Sequence, residues 1–174
     1  MSRSWLVVVA ALGLVACSSP HDVAPEFDVQ ALSNHDARTF VATLSGAEEV
    51  AEPPVETRAR GQAWFQLSPD GTELAYRVIV ANIENVTMAH IHLAPAGANG
   101  PVVAWLYPSG PPPQLIPGRY QGVLAEGTLT AGDLVGLLAG QALDALVEEF
   151  TASNAYVNVH TSQFPAGEVR GQIR

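Results

Sequence analysis

The stretch Gly61–Ile83, GQAWFQLSPDGTELAYRVIVANI, predicts two β-strands joined by a tight turn. The turn is SPDG, residues 68–71, and it supplies Pro and Gly where a sharp reversal of the chain requires them. On both sides of the turn, apolar residues alternate with others, which is the period of a strand that buries one face. We therefore predict a β-hairpin here and a fold built from antiparallel strands.

Further stretches with the same alternation lie on both sides of the hairpin. They are TFVATLSG, VTMAHIHLA, GPVVAWLY, YQGVLAEGTL, AYVNVHT and GEVRGQIR. Turn-rich loops such as PAGANG and PSGPPPQLIPG separate them. Many short strands at such intervals predict a Greek-key, immunoglobulin-like sandwich or barrel. We expect one all-β domain over residues 38–174.

One region departs from the strand pattern. Thr130 is followed three residues later by Asp133, an approximate capping box, and a stripe of apolar residues follows further on. The stripe consists of Leu143, Leu146, Val147 and Phe150. We expect one or two short helices, near 131–138 and 142–152, inserted before the penultimate strand.

The N-terminus predicts export. An apolar run, WLVVVAALGLVA, follows Arg3 and is too short to span a bilayer, so residues 1–16 are predicted to be a signal peptide. The single cysteine comes next, in LVAC, which resembles the lipobox of bacterial lipoproteins. We predict that Cys17 is lipidated and that residues 17–37 form a tether, although ordinary cleavage after Ala16 is the alternative. The expected location is the cell envelope, with a lipid anchor in the outer membrane or at the cell surface.

The net negative charge of the chain disfavours some classes of binding partner. Lys and Arg total 8, all of them Arg, against 17 Asp and Glu, for a formal net charge of −9. Such an acidic chain repels phosphate backbones and anionic headgroups. We therefore expect no nucleic-acid partner, and membrane attachment through the lipid anchor alone.

Three histidines are predicted to share one face of the sheet. Alternate residues of a strand point the same way, so His90 and His92 lie together in MAHIHLA, opposite apolar neighbours. His160 has the same relation to its neighbours in AYVNVHT. We expect all three side chains to point away from the core, toward the outer surface.

Two imidazoles in an H-x-H pair and a third from another strand would fill three of the four positions that zinc or copper usually takes. Glu168, expected to face outward, is a candidate fourth ligand, although a simple pairing with Arg170 or with solvent is the favoured alternative. The alternative is that the histidines are exposed or hydrogen-bonded sheet residues without a ligand. His21 and His35 lie in the predicted tether and are expected to be solvated.

Several stretches together resemble the CHRD domain, a module named after chordin and found in bacterial secreted proteins. They are FVATLSGAEEV, MAHIHLAPAGANGPVVAWL, GTLTAGDLVG and NAYVNVHTSQFPAGEVRGQI, and the resemblance covers about residues 38–174. It implies an immunoglobulin-like extracellular module with no general enzymatic activity, here in a bacterial CHRD domain-containing lipoprotein. A fainter likeness to copper-zinc superoxide dismutase rests on the H-x-H strand and the later histidine. That family needs more histidines, an Asp ligand and a disulfide, so dismutase activity is not expected.

Two functional hypotheses follow. The first is a lipid-anchored extracytoplasmic binding or scaffolding module, without catalysis or a required cofactor, whose protein or cell-envelope partner the sequence does not name. The alternative is a copper- or zinc-binding protein with a surface site made of His90, His92 and His160. A metal-dependent oxidoreductase ranks below both because too few ligands are visible. No GxSxG motif supports a hydrolase.

Overall fold

The computed structural model describes residues 38–174. The predicted signal peptide (1–16), the lipidated Cys17 and the tether (17–37) lie outside the described residues. Within the described part of the chain, no helix is long and apolar enough to cross a membrane.

Seven strands form one antiparallel sheet. They are β1 (Thr39–Ser45), β2 (Arg60–Leu67), β3 (Leu74–Leu93), β4 (Val102–Tyr107), β5 (Ile116–Leu129), β6 (Ala155–Thr161) and β7 (Val169–Gln172). Their order is β2-β1-β7-β6-β3-β4, with β5 paired to β3. Since β2 also pairs with β3, five strands close into a barrel-like ring. The all-β prediction is confirmed, whereas the finer Greek-key, immunoglobulin-like topology stays a prediction.

The β-hairpin predicted for residues 61–83 is present. Strands β2 and β3 pair antiparallel, and their last partners before the turn are Leu67 and Leu74. The Gly71 N–H donates to the Ser68 carbonyl over 3.0 Å. Gly71 has φ +73°, a conformation that glycine adopts without steric cost. The Asp70 carboxylate accepts from the hydroxyls of Ser68 and Thr72 and so fixes the turn.

Strand β3 is longer than the sequence pattern indicates. Two separate strands were expected, but one strand of 20 residues runs through both. Its first part, Leu74–Ile83, pairs with β2 and β5, and its second part, Val86–Leu93, pairs mainly with β4 and β6. Asn82 and Asn85 lie at the junction with φ values of +55° and +54°. Asn tolerates this left-handed conformation, so the chain bends there without ending the strand.

The helical insertion lies before β6, the penultimate strand, as expected. Two 3-10 helices, Ala131–Asp133 and Gly136–Leu138, precede the one α-helix among residues 38–174, which is α1, Leu143–Thr151. The capping box is formed, since the Thr130 N–H donates to the Asp133 carboxylate over 2.8 Å. The predicted apolar stripe of α1 is buried, and its Phe150 packs against Phe40 and Phe65 with ring centroids 5.3 and 5.2 Å apart.

The main core includes the apolar side chains of β3 and β6. Ala89, Ile91, Val157 and Val159 are fully buried within it. Burying such side chains stabilises the fold by about 1.5–3 kcal/mol for each large one. Because residues alternate across a strand, their neighbours in β3 and β6 project from the opposite face of the sheet.

Candidate metal centre

The three histidines predicted to share a face do so, and they meet. Strands β3 and β6 are neighbours, with His90 opposite Asn158 and Met88 opposite His160. The Nδ1 of His90 lies 3.2 Å from the Nε2 of His160. One ring nitrogen from each of His90, His92 and His160 lies within 4.8 Å of the others. The fold therefore gathers three imidazoles from two strands into one cluster, which we call the histidine centre.

The expectation that these histidines lie on the outer surface was wrong. His90, His92 and His160 are only 3%, 8% and 4% exposed. Aromatic side chains of the neighbouring strands flank them: the ring of Trp105, opposite His90 in β4, meets His90 edge-on at 4.2 Å, and the ring of Tyr156, opposite His92 in β6, stacks on His92 at 4.9 Å. The loop between β3 and β4, residues 94–101, and the turn between β6 and β7 contribute further contacts. The histidine centre is thus a buried site.

Backbone carbonyls orient two of the imidazoles. His92 Nδ1 lies 2.9 Å from the Gly100 carbonyl, and His160 Nδ1 lies 3.0 Å from the Pro165 carbonyl. A carbonyl only accepts, so each Nδ1 carries the proton and each Nε2 keeps a free lone pair. Metal-binding histidines typically donate their other N–H in this way. Both residues therefore have the tautomer that suits an Nε2 ligand.

The tautomer of the third imidazole, that of His90, follows from the protonation of His160. Because His160 Nε2 has a lone pair, His90 Nδ1 is the donor in the contact between the two rings. His90 Nε2 is then also unprotonated. Among the described residues, neither His90 Nε2 nor His92 Nε2 has a hydrogen-bond partner, although both atoms are buried. Buried polar atoms in native proteins usually have a partner, and these two lone pairs are available to a water molecule or to an ion.

The histidine centre is uncharged at neutral pH. Burial, together with the neighbouring His160 and His92, lowers the pKa of His90 to about 3. Burial likewise lowers the pKa of His160 to about 4. The pKa of His92 is also lowered, chiefly by burial. Neutral imidazole is the form that binds metal ions, so no proton has to be displaced from a charged ring before coordination.

Arg170 is a central residue that sequence reasoning missed. It is 1% exposed, and its guanidinium donates to the carbonyls of Pro95 and Ala98 and to Asn99 Oδ1, over 3.3, 2.8 and 3.1 Å. The guanidinium carbon also lies 3.4 Å from the centre of the Tyr156 ring. The ring of Tyr156 therefore contacts both the Arg170 guanidinium and the His92 imidazole, which form one stack with it.

The same contacts hold the 94–101 loop in place. The Tyr156 hydroxyl accepts from the Gly100 N–H over 3.2 Å, beside the Gly100 carbonyl that orients His92. A side chain at Gly100 would collide with the backbone carbonyl of Leu93, so this close approach requires glycine. The loop therefore fixes the orientation of His92 from one side while Arg170 fixes the loop.

Glu168 does not take the role considered for it. It was expected to face outward as a fourth ligand, but it is buried, and its carboxylate accepts from the hydroxyls of Thr57 and Thr161 over 2.6 and 2.8 Å. Its oxygens are not part of the histidine cluster. It forms no ion pair with Arg170 either, since the ion pairs among residues 38–174 are Arg77–Glu126 and Arg119–Glu84. His21 and His35 lie outside the described residues.

A second polar pair, Glu49 and Asn158, lies beside the histidine centre and was not predicted as part of it. Asn158 is buried on the same face of β6 as His160, and its Nδ2 lies 3.4 Å from Glu49 Oε2. Burial raises the pKa of Glu49 to about 7, against the attraction of Arg170. This pair could not be predicted, because Glu49 lies in the segment after β1, more than 100 residues before Asn158 in the chain.

The CHRD domain profile matches residues 40–173. The chain belongs to the CHRD family. The resemblance inferred from the sequence motifs is therefore confirmed, and the CHRD match spans the whole histidine centre together with Arg170 and Glu49. No curated protein and no solved structure matches the chain in the corresponding comparisons. The bacterial lipoprotein context stays a prediction, and the geometry of the centre is the main guide to what this CHRD domain does.

Proposed function

We propose that this protein is an exported binding module whose CHRD domain holds one copper or zinc ion in the histidine centre. The observation that carries the proposal is the convergence of three buried, neutral imidazoles whose ring nitrogens lie within 4.8 Å of one another. Imidazole nitrogen is a good ligand for both metals, and three protein ligands leave one position for a water or a further ligand.

A purely structural role fits the histidines less well. A buried polar atom without a partner costs about 1–3 kcal/mol. Two of the three Nε2 atoms are in that position among the described residues. An ion coordinated by these nitrogens would recover the cost, whereas residues selected for packing alone would be smaller and apolar. The metal hypothesis, ranked second on sequence grounds, therefore becomes the preferred one, and it is compatible with a binding module.

The proposal contains no catalytic step. It also retains the envelope location predicted from the sequence, with acylated Cys17 as the anchor and residues 17–37 as the tether. Mass spectrometry of the protein from membranes tests the anchor: we expect acyl chains on an N-terminal Cys17 and release of a Cys17→Ser variant from the membrane fraction. An unmodified mature N-terminus at Cys17 or Ser18 would contradict it.

Metal analysis and titration test the metal function. The full chain is purified without a tag and with Cys17→Ser throughout, because a free thiol binds both metals. Titration with Cu(II) and Zn(II) is compared between this protein, a His90→Ala/His92→Ala variant and a His160→Ala variant. We expect one ion per chain in the parent and at least a 100-fold weaker affinity in both histidine variants.

A matched control separates loss of ligands from loss of structure. Asn158 is buried on the same face of β6 but offers no imidazole, so Asn158→Ala disturbs packing while leaving the three ligands in place. We expect this variant to retain one ion per chain. Equal, weak binding by the parent and all variants would overturn the proposed function.

A further inference from the structure

The histidine centre combines neutral ligands with a buried cation. Its potential ligands are three imidazoles. Glu168 accepts from two threonine hydroxyls, and Glu49 Oε2 lies 3.4 Å from Asn158 Nδ2, while Glu49 Oε1 is buried without a hydrogen-bond partner among the described residues. No aspartate or glutamate oxygen among the described residues joins the cluster. An ion held here keeps its full charge unless it brings an anion with it.

Arg170 adds a positive charge close by. Its guanidinium stacks on Tyr156, which stacks on His92, and its hydrogen bonds run to carbonyl oxygens and an amide rather than to a carboxylate. Among the described residues no carboxylate lies within ion-pair distance of Arg170, although Glu49 is close enough to attract its charge, and burial raises the pKa of that carboxyl to about 7. The guanidinium carbon of Arg170 lies 3.4 Å from the centre of the Tyr156 ring, and that ring stacks on His92 at 4.9 Å, so one aromatic ring separates the charge from a ligand of the centre.

The electrostatic cost of an ion in this environment depends strongly on its charge. Burial of an ion in a medium of low dielectric constant costs free energy in proportion to the square of its charge. Repulsion from a fixed cation rises in direct proportion to that charge. Both effects disfavour a divalent ion relative to a monovalent one. Among the two metals proposed, only copper has a stable monovalent state that binds imidazole.

We propose that the histidine centre selects monovalent copper over divalent zinc and that Arg170 is the residue that sets this preference. The inference rests on the proposed function and narrows it to one ion. Arg170 acts on the ion through its charge, across Tyr156 and His92, and not as a ligand.

Paired titrations test the preference. The full chain with Cys17→Ser is titrated anaerobically with Cu(I), in competition with bicinchoninate, and separately with Zn(II), in competition with a chromogenic chelator. Each affinity is taken as the difference from the His90→Ala/His92→Ala variant, so that binding outside the centre cancels. We expect Cu(I) to bind the centre at least 100-fold more tightly than Zn(II).

Two variants at Arg170 distinguish its charge from its hydrogen bonds. Arg170→Gln removes the charge, and Arg170→Lys keeps the charge but loses the forked donor geometry. Weaker anchoring of the 94–101 loop affects both metals alike, whereas loss of the charge favours Zn(II). We expect Arg170→Gln to lower the ratio of Cu(I) to Zn(II) affinity roughly tenfold or more, and Arg170→Lys to leave the ratio nearly unchanged. Arg77→Gln, a change of one charge at an exposed position, is the control and should not alter the ratio.

The outcomes are distinguishable. Zn(II) binding as tight as Cu(I) in the parent protein, or an unchanged ratio in Arg170→Gln, would overturn the inference while leaving metal binding intact. Failure of both ions to bind the parent more tightly than the double histidine variant would overturn the proposed function and the inference together. If Arg170→Gln does not fold, Arg170→Met, which keeps the length of the side chain without its charge, replaces it, and an unchanged ratio in that variant would overturn the role of Arg170.

Discussion

The two parts of strand β3 share one sequence pattern and have different surroundings. In Leu74–Ile83 one face lies in the core while the other, which includes Arg77, meets solvent. In Val86–Leu93 the alternation continues, yet residues 89–92 are buried on both faces. The difference arises from what lies over the second part: the 94–101 loop, which Arg170 holds in place, and the turn before β7, with Trp105 of β4 beside His90. Alternation therefore assigns a side chain to one face of the sheet, but the rest of the fold determines whether that face is exposed to solvent.

The largest change in unfolding free energy is expected in the hydrophobic core, to which both parts of β3 contribute. Ile83 and Ile91 are fully buried in the same core, one in each part of β3. Replacement of either by Ala should lower the free energy of unfolding by about 2–5 kcal/mol, because it removes apolar contacts and leaves a cavity. Urea denaturation measures both. A cost for Ile91→Ala well below that for Ile83→Ala would show that the second part does not share the core.

The next prediction compares the loss of stability on replacing a buried arginine with the loss on replacing a solvent-exposed one. In metal-free protein, Arg170→Gln should cost about 2–4 kcal/mol of unfolding free energy, since it leaves buried acceptors in the 94–101 loop without a donor. Arg77→Gln, on the wet face of β3, should cost less than about 0.5 kcal/mol. The same denaturation experiment compares the two variants. Similar costs would mean that the covering layer contributes little to stability.

A smaller effect concerns pH. In metal-free protein the pKa of His90 and that of His160 are about 3 and 4, below the ordinary 6.5. Below pH 6.5 the unfolded chain binds protons that the folded chain does not, so stability present above this pH is lost as the pH falls toward 4. Glu49 opposes this trend, because its raised pKa of about 7 makes the folded state bind a proton first as the pH falls from 7 toward 4.5.

Since more than one histidine opposes a single carboxyl, we expect a net loss of roughly 1 kcal/mol per pH unit between pH 6.5 and 4.5. Urea denaturation at a series of pH values measures the slope. Glu49→Gln should make it steeper, because the opposing group no longer titrates. A flat profile in both proteins would contradict the burial of neutral imidazoles.

The smallest change in unfolding free energy is expected on the solvent-exposed face of the first part of β3. Arg77 and Glu126 form an ion pair at 3.3 Å, with side chains 54% and 64% exposed. Solvent and salt screen such pairs, so Glu126→Gln should change the unfolding free energy by at most about 0.5 kcal/mol. Denaturation at low and high salt provides the measurement. A larger, salt-independent cost would show that this face is covered too.

Local chemistry explains what could be predicted from the sequence. The SPDG turn, the capping box at Thr130 and the apolar stripe of α1 all depend on neighbouring residues, and each formed as expected. The placement of His90, His92 and His160 on one face needed only the two-residue period of a strand and the pairing of β3 with β6.

The covering layer could not be predicted, because it depends on contacts between distant residues. In GEVRGQIR, nothing near Arg170 distinguishes a buried arginine from a solvent-exposed one; its acceptors belong to the 94–101 loop. Glu168 was placed outward by simple alternation, yet the chain bends at Gly167, with φ +136°, and directs the carboxylate to Thr57 and Thr161. A single residue outside the strand pattern was enough to change its surroundings.

The loop that carries Gly100 has a kinetic consequence. Because this loop is fastened by Arg170 over nearly inaccessible rings, a bound ion can exchange only when part of the covering layer moves aside. The rate of release is then governed by a local opening of the protein rather than by the lifetime of a metal–nitrogen bond. For the metal function proposed above, exchange of the ion would therefore be slow and would be accelerated by any event that loosens the loop.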